Sequence, residues 1–179
     1  TDNVLKFQYP NTTTAGSWRT ATSLNTSTQD AGGSGTYTAA LVFGGYNPSG
    51  GDQDKTELYN GTNWTEVNNL AASSGSMAGF GTSTSSVSAG SASPGYLAST
   101  ELWNGTNWTE VNDLNTARRQ VEGAGTSTSM LVFGGEDSGT AYLAVTEEWN
   151  GTNWTEQNDL NTGRYNISRA GNTSNALAS

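Results

Sequence analysis

The sequence predicts an all-β protein built from four copies of one unit of antiparallel strands. The phrase Asn60-Gly-Thr-Asn-Trp-Thr-Glu-Val-Asn68 returns at 104–112 and, with one change, at 150–158. Short apolar runs alternate with turns rich in Gly, Ser, Thr and Asn, which is typical of strands joined by tight turns. A fixed period of this length indicates an array of one supersecondary unit. The tryptophans that mark it stand 46, 44 and 46 residues apart: Trp18, Trp64, Trp108 and Trp154.

The composition of the 179 residues excludes several functional classes. The chain has no Cys and no His, so disulfides, thiolate metal sites and histidine-based catalysis are excluded. The net charge is −9 and the seven basic residues are scattered, so we expect neither a nucleic-acid partner nor binding to an anionic membrane surface. No apolar stretch approaches ~18 residues, so no membrane span is predicted. Because the chain begins at Thr1 rather than Met, we expect a processed chain or a fragment.

The third copy gives the clearest view of the unit, with four strands that we call a to d in chain order: 123–129, 130–133, 145–149 and 153–156. Met130-Leu-Val-Phe133 is a continuous apolar run, as expected for a strand buried on both faces. The Gly134-Gly135 turn follows it. Asn150-Gly151 is the strongest short hairpin signal, since both residues tolerate positive φ.

The first copy repeats this frame, with strands a to d at 33–38, 39–43, 56–59 and 63–66. The second copy keeps Gly79-Phe-Gly-Thr but replaces the apolar run with Ser86-Val-Ser-Ala89. We therefore expect weaker packing there, since each lost large side chain costs about 1.5–3 kcal/mol of burial.

The two ends of the chain complement each other. The last copy supplies strands a and b at 167–173 and 175–179, whereas 4–9 and 17–20 resemble strands c and d. Unpaired sheet edges are a liability, so we expect these segments to pair and close a ring. The expected units span approximately 24–68, 77–112, 121–158, and the composite of 165–179 with 4–20.

The pattern resembles the kelch repeat, in which a Gly-Gly doublet after an apolar strand precedes an aromatic residue and then Trp. The doublet decays to Gly90-Ser91 in the second copy, and Arg118 and Arg164 match the arginine that often starts the next kelch unit. The repeated phrase is similar to kelch-like repeats in structural proteins of marine and cyanobacterial phages. The resemblance implies a four-bladed kelch-like β-propeller, with a partial arc of a larger propeller or a multi-chain ring as alternatives. The intact doublets and their aromatics are Gly44-Gly45 with Tyr59 and Trp64, and Gly134-Gly135 with Trp149 and Trp154.

Aromatic residues that recur at fixed places in the unit are expected to pack between blades. We expect this structural core to contain Trp18, Trp64, Trp108, Trp154, Tyr59, Trp103 and Trp149.

Binding is expected in the variable loops before strand c, at 46–55, 91–99 and 136–144, because varied loops on a constant scaffold usually carry recognition. Asp52, Asp54 and Glu57 are a candidate Ca²⁺ site of hard oxygen ligands; otherwise we expect no metal or cofactor. The candidate contact residues are Tyr46, Tyr96, Tyr142, Asp52, Asp54, Glu136 and Asp137.

Asn-x-Ser/Thr sequons are dense and would carry glycans if the source glycosylates secreted proteins. In the repeated phrase, Asn-Gly also serves the turn, so a structural role is the alternative. The sequons begin at Asn11, Asn25, Asn60, Asn63, Asn104, Asn107, Asn150, Asn153, Asn166 and Asn172.

These observations favour a non-enzymatic β-propeller on a virion or extracellular surface that binds a host-surface glycan or another surface protein. The first alternative is a self-associating, N-glycosylated subunit of an extracellular filament or sheath. The second is a glycan-degrading enzyme, for which Glu147 and Glu148 are the candidate acids.

Overall fold

The computed structural model describes residues 21–93, 95–139, 141–167 and 169–178. Within these ranges the protein is all-β, as predicted, and no helix occurs that could cross a membrane. The predicted strands at 4–9 and 17–20, with Trp18 and Asn11, lie outside the described residues.

Three of the repeats each form one four-stranded antiparallel sheet in the order predicted. The first sheet contains β1 (Gly32–Thr36), β2 (Ala39–Phe43), β5 (Thr56–Tyr59) and β6 (Trp64–Val67). A small hairpin, β3 (Tyr46–Asn47) with β4 (Gly51–Asp52), interrupts it in sequence and was not predicted.

The second sheet contains β7 (Ala78–Thr82), β8 (Ser85–Ser91), β9 (Leu97–Trp103) and β10 (Trp108–Glu110). The third contains β11 (Glu122–Thr126), β12 (Ser129–Phe133), β13 (Thr146–Trp149) and β14 (Trp154–Glu156). The fourth repeat contributes the hairpin of β15 (Arg169–Asn172) and β16 (Asn175–Ala178).

The first strands of the first and third units are shorter than predicted. The expected strands 33–38 and 123–129 end at Thr36 and Thr126, because the next two residues form the turn into the second strand. In the third unit, Thr126 Oγ1 accepts a hydrogen bond from Ser129 N at 3.2 Å, which holds the turn closed.

The first strands of successive units lie side by side: β1 contacts β7, β7 contacts β11, and β11 contacts β15. Glycine makes this approach possible. A Cβ on Gly79 would lie 2.6 Å from Gly33 N and 2.9 Å from Phe43 Cζ, which is too close for any side chain. The glycine-rich first strands therefore set the spacing between neighbouring sheets.

The core lies between adjacent sheets, where the tryptophans that begin the fourth strands of the second and third sheets reach back to the sheet before them. Trp108 Nε1 donates to Thr56 Oγ1 at 2.9 Å, and Trp154 Nε1 donates to Thr100 Oγ1 at 3.1 Å. The ring of Trp108 also meets Phe43 edge-on, with centroids 4.7 Å apart. These bonds anchor each indole while its ring fills the space between sheets.

The predicted aromatic core is buried at four of its described positions, namely Tyr59, Trp103, Trp149 and Trp154. Trp108 and Trp64 are half-buried. Trp64 packs against Tyr59 with ring centroids 5.0 Å apart and donates to Thr22 O at 3.1 Å.

The second sheet has small residues in its second strand, and its two middle strands are longer than those of the other sheets. Ser86, Val87, Ser88 and Ala89 are all buried, and Ser86 Oγ donates to Phe80 O at 2.7 Å, so its hydroxyl is satisfied. β8 and β9 each have seven residues and pair as far as Ser91 and Leu97. The expectation of weaker packing stays a prediction.

Candidate functional site

The candidate site lies at one end of the sheets, where the second strand of each unit ends and the first strand begins. We call this end the loop face; it comprises 28–31, 46–54, 74–77, 91–93, 95–96, 118–121, 136–139, 141–144 and 164–167. The Asn-Gly turns of the repeated phrase lie at the opposite end of the sheets, because each follows a third strand that starts at the loop face and runs away from it. The variable loops of the three sheets thus meet on a single face.

Four residues at the same place in the four units line one cavity of about 110 Å³ on this face. They have positive φ angles of 53°, 55°, 53° and 49°, and no other non-glycine residue in the described ranges does. We call them the central residues: Asp30, Ser76, Gln120 and Asn166.

Backbone hydrogen bonds link the central residues from one unit to the next. Ser76 N donates to Asp30 O at 3.0 Å, and Gln120 N donates to Ser76 O at 2.7 Å. Positive φ costs a non-glycine residue of order 1–3 kcal/mol and is found where the surroundings enforce it, often at ligand sites. No sequence motif marks these residues, and our sequence reasoning missed all but Asn166, which it noted as a sequon.

Two exposed tyrosines stack on the loop face. The rings of Tyr142 and Tyr165 lie 4.4 Å apart at 25°, with 55% and 38% of their surface exposed. The side-chain hydrogen bond to Tyr165 raises the pKa of Tyr142 above its ordinary value. Tyr165 directly precedes Asn166 in the chain, and neither of the two stacked tyrosines is itself among the residues that line the cavity. Tyr142 was a predicted contact residue, and Tyr165 was not.

Tyr46 follows the Gly44-Gly45 turn of the first sheet, in the place that Glu136 has in the third unit. It is 39% exposed and pairs through its backbone with Gln29, which precedes Asp30. Of the predicted tyrosines, Tyr46 and Tyr142 are therefore available on the loop face.

The third predicted tyrosine, Tyr96, is half-buried under a cation. The Arg119 guanidinium lies 4.7 Å from its ring centroid. Arg119 Nε and Nη2 donate to Glu136 Oε2 at 3.2 and 3.1 Å, and Glu136 is 8% exposed. Glu136 is thus wrong as an open contact acid, because its carboxylate is occupied by Arg119. Asp137 Oδ1 accepts from Gly139 N and Ala141 N at 2.9 Å each, and so shapes its own loop.

The candidate Ca²⁺ ligands do not converge. Glu57 is buried and accepts from Asn25 N and Thr26 N at 2.8 and 2.7 Å. The Asp52 carboxylate instead lies against Gly75, where a Cβ would be 2.9 Å from Asp52 Oδ1, and Asp54 is half-buried. Across the described residues, no group of three acidic side chains is placed to hold a metal ion.

The acids chosen for glycan hydrolysis are separated. Glu147 and Glu148 are neighbours on β13, so their side chains point to opposite faces of the sheet. Glu147 is fully buried, with Oε1 at 2.9 Å from Arg118 Nη1. Burial lowers the pKa of Arg118, while the charge of Glu147 opposes that shift. Glu147 therefore cannot meet a substrate on the surface, and the two acids do not form a catalytic pair.

Many of the sequon asparagines have structural partners. Asn60, Asn104 and Asn150 accept bonds through Oδ1 from the backbone N–H groups two and three residues on, at 2.9 to 3.0 Å. Asn25 Nδ2 donates to Glu57. Asn172 lies on β15 and Asn63 on an exposed turn.

Two further sequon asparagines join adjacent sheets. Asn107 and Asn153 accept through Oδ1 from Asn68 and Asn112, at 2.7 and 2.8 Å. The repeated phrase therefore has structural reasons to be kept in every copy.

Comparison with known proteins yields a fold-level likeness. No family model and no curated protein matches the chain. Among solved structures, the structure of YjhT is similar, with a TM-score of 0.60 and 16% identity over 74% of this chain. The match covers 46% of the YjhT chain, so this chain spans less than half of that protein. At this identity the likeness concerns the fold alone.

Proposed function

We propose that this protein is a non-enzymatic, carbohydrate-binding β-propeller of four kelch-like blades, displayed on a virion or other extracellular surface. The stacked, exposed Tyr142 and Tyr165 on the loop face carry the binding part of the proposal.

The proposed ring has support from the first and fourth repeats. Asp30 opens the first unit and Asn166 the last, and both line the same cavity. An extended row of sheets would separate them, whereas a closed arrangement brings them together. In the proposal, residues 4–20 complete the sheet that β15 and β16 begin.

The chemistry of the loop face suits a sugar. Aromatic faces pack against the C–H faces of pyranose rings, while hydroxyl and amide groups bond their oxygens. Tyr142 and Tyr165 offer the aromatic surface, and Gln120 and Asn166 offer amides at the cavity on the same face. The non-enzymatic part rests on the absence of His and Cys from the sequence and on the burial of Glu147.

A carbohydrate array probed with the full chain tests this function. Tyr142→Ala and Tyr165→Ala are each expected to weaken the best-bound glycan by about tenfold, since a few aromatic anchors dominate binding. Tyr37→Ala is the matched control: Tyr37 is 80% exposed and lies in the turn after β1, at the opposite end of the sheet. The proposal fails if no glycan binds, or if all three variants bind equally well.

A further inference from the structure

We propose that Tyr142 and Tyr165 form an oxidative cross-linking site, at which a one-electron oxidant joins the two rings through a carbon–carbon bond. The product is a dityrosine that ties the loop of the third unit to the start of the fourth. This modification needs no sugar, so it goes beyond the proposed function and is tested separately from it.

The two rings are already placed for coupling. Their centroids lie 4.4 Å apart and their planes make an angle of 25°. Tyr142 also shares a side-chain hydrogen bond with Tyr165, the same bond that raises the pKa of Tyr142. Tyrosine rings couple at the carbons next to the one that carries the hydroxyl, so rings stacked with their hydroxyls together have their reactive carbons together as well. Holding two reacting groups in contact replaces a bimolecular encounter with an intramolecular step.

The backbone fixes this arrangement. Arg164 N donates to Leu143 O at 3.0 Å. The residue after Tyr142 is thus bonded to the residue before Tyr165. Gly163 lies directly against the same segment, since a Cβ there would overlap Tyr142 O. The two tyrosines therefore project from neighbouring backbone segments that are bonded to each other, and their stacking does not depend on a chance meeting of two side chains.

An oxidant in solution reaches both rings. Tyr142 is 55% exposed and Tyr165 is 38% exposed. The indoles of Trp149 and Trp154 in the adjoining sheet, which can also be oxidised, are buried. A reagent that must contact the ring therefore reaches the tyrosine pair rather than these indoles.

The reaction balances with hydrogen peroxide as the terminal oxidant and a peroxidase as the one-electron carrier. Each phenol loses one electron and its hydroxyl proton, which gives a phenoxyl radical whose unpaired electron is shared with the ortho carbons. The two radicals pair their electrons in a bond between one ortho carbon of each ring. The hydrogen on each of these carbons then leaves as a proton and a proton returns to each phenol oxygen, so both rings become aromatic again. In total the protein loses two electrons and two protons, which convert one peroxide into two waters.

The bond would give the protein a covalent link between side chains that its composition otherwise denies it. The chain has no cysteine, so no disulfide can form. The link closes a loop that runs from Tyr142 through β13 and β14 to Tyr165, just before the hairpin whose first strand, β15, packs against β11. Closing a loop restricts the unfolded chain and so stabilises the folded one, as a disulfide does.

The test is treatment of the dilute full chain with a peroxidase and hydrogen peroxide, followed by tryptic digestion and mass spectrometry. Trypsin cleaves after Arg164, so Tyr142 and Tyr165 fall in separate peptides, 120–164 and 165–169. We expect these two peptides to be joined, at their summed mass less two hydrogen atoms, in protein that remains monomeric on a denaturing gel. N-acetyltyrosine amide must dimerise in a parallel sample, which shows that the oxidant is active.

Tyr142→Phe and Tyr165→Phe keep each ring and remove the hydroxyl from which the radical forms, so each is expected to abolish the joined peptide. Tyr46→Phe is the matched control, because Tyr46 is 39% exposed on the same face, and it is expected to leave the yield unchanged. In urea that unfolds the chain, the wild-type yield is expected to fall by at least about tenfold, because the rings are no longer held together. The cross-linked protein is expected to melt about 5 °C or more above the untreated protein, and peroxide-treated Tyr165→Phe is expected to show no such rise.

The proposal is overturned if the treated protein yields no joined pair of these peptides while N-acetyltyrosine amide dimerises. It is also overturned if the yield is the same in urea, or if peptide 165–169 is joined as often to peptide 20–55, which carries Tyr37 and Tyr46. Either result would mean that the stacking does not direct the reaction. An unchanged Tm in the cross-linked protein would overturn the stabilising role of the bond.

Discussion

Ala71→Asn is expected to stabilise the protein, because it restores a contact that two other repeats make. Glu57, Glu101 and Glu147 occupy one place in the first three sheets, and all are buried. In the third unit Asn115 gives Glu147 a backbone bond and an Nδ2 bond, each at 2.7 Å. In the second unit Ala71 gives Glu101 a backbone bond at 2.9 Å and has no amide to add.

Burial raises the pKa of Glu101 above its ordinary value of 4.5, and the charge of Glu110 adds to the rise, while the hydrogen bond from the Ala71 N–H opposes it. A raised carboxyl pKa means that the folded protein holds this proton more tightly than the unfolded chain does. The associated stability is therefore complete below pH 4.5 and is lost as the pH rises through the folded pKa. A second N–H donor favours the charged carboxylate and so reduces that loss.

A hydrogen bond to a charged group contributes about 1.5–3 kcal/mol to stability. Fixing the exposed Asn side chain in one conformation costs entropy and reduces this gain. The expected net gain at neutral pH is about 1 kcal/mol, or roughly 2–4 °C in Tm for a chain of this size.

The measurement is urea unfolding of wild type and Ala71→Asn at pH 7 and near pH 4, with Ala72→Asn, an exposed neighbour, as the control. The gain should be present at pH 7 and smaller where Glu101 is protonated. An equal gain at both pH values, or a gain in the control as well, would refute the reasoning, since neither would involve the charge of Glu101.

Two further predictions concern packing and charge between the sheets. Gly79→Ala should lower the free energy of unfolding by about 2–3 kcal/mol, because the added Cβ would force two sheets apart. Gly33→Ala should lower it little, because its Cβ would meet only Leu41 O, at 3.7 Å. Denaturant unfolding measures both variants, and equal losses would contradict this explanation. Arg118→Thr should lower the free energy of unfolding by about 1–2 kcal/mol, which is less than the loss of about 3–5 kcal/mol usual for a broken buried ion pair. The reason is that Glu147 keeps the same kind of N–H donors that bind its counterpart Glu57. A measured loss of about 4 kcal/mol or more would show that the arginine itself holds Glu147.

The strands could be predicted because the same pattern of apolar residues and turns could be compared across the copies of the repeat. Strand b of the second sheet is degenerate alone, since Ser86-Val-Ser-Ala89 replaces the apolar run, yet the positions of Trp103 and Trp108 in the repeat fixed it. The hairpin of β3 and β4 was missed because it lies in a variable loop, where the copies give no comparison. Its closure depends on Tyr46 pairing with Asp52 and on the positive φ of 77° at Gly51, both local to one copy.

The sequence indicated where the candidate site lies, but it identified only some of the residues there. Variable loops indicated the loop face, and the exposure of Tyr46 and Tyr142 agrees with their choice as contacts. Glu136 was misjudged because its partner Arg119 lies 17 residues away in the chain. The central residues carry no shared chemistry in the sequence; what they share is a backbone conformation.

The place of Arg118 shows how the repeats have diverged without losing the fold. Its counterpart in the first unit is Thr28, beside the buried Glu57, and there the structure has a cavity of about 10 Å³ that Thr28 and Glu57 help to line. That is about the volume needed to admit one water. The carboxylate can remain there without a guanidinium because Asn25 and Thr26 turn three N–H groups toward it. The first unit therefore holds its buried carboxylate with these N–H donors and no arginine, whereas the second unit has alanine in place of the asparagine and serine in place of the arginine, and there burial raises the pKa of Glu101.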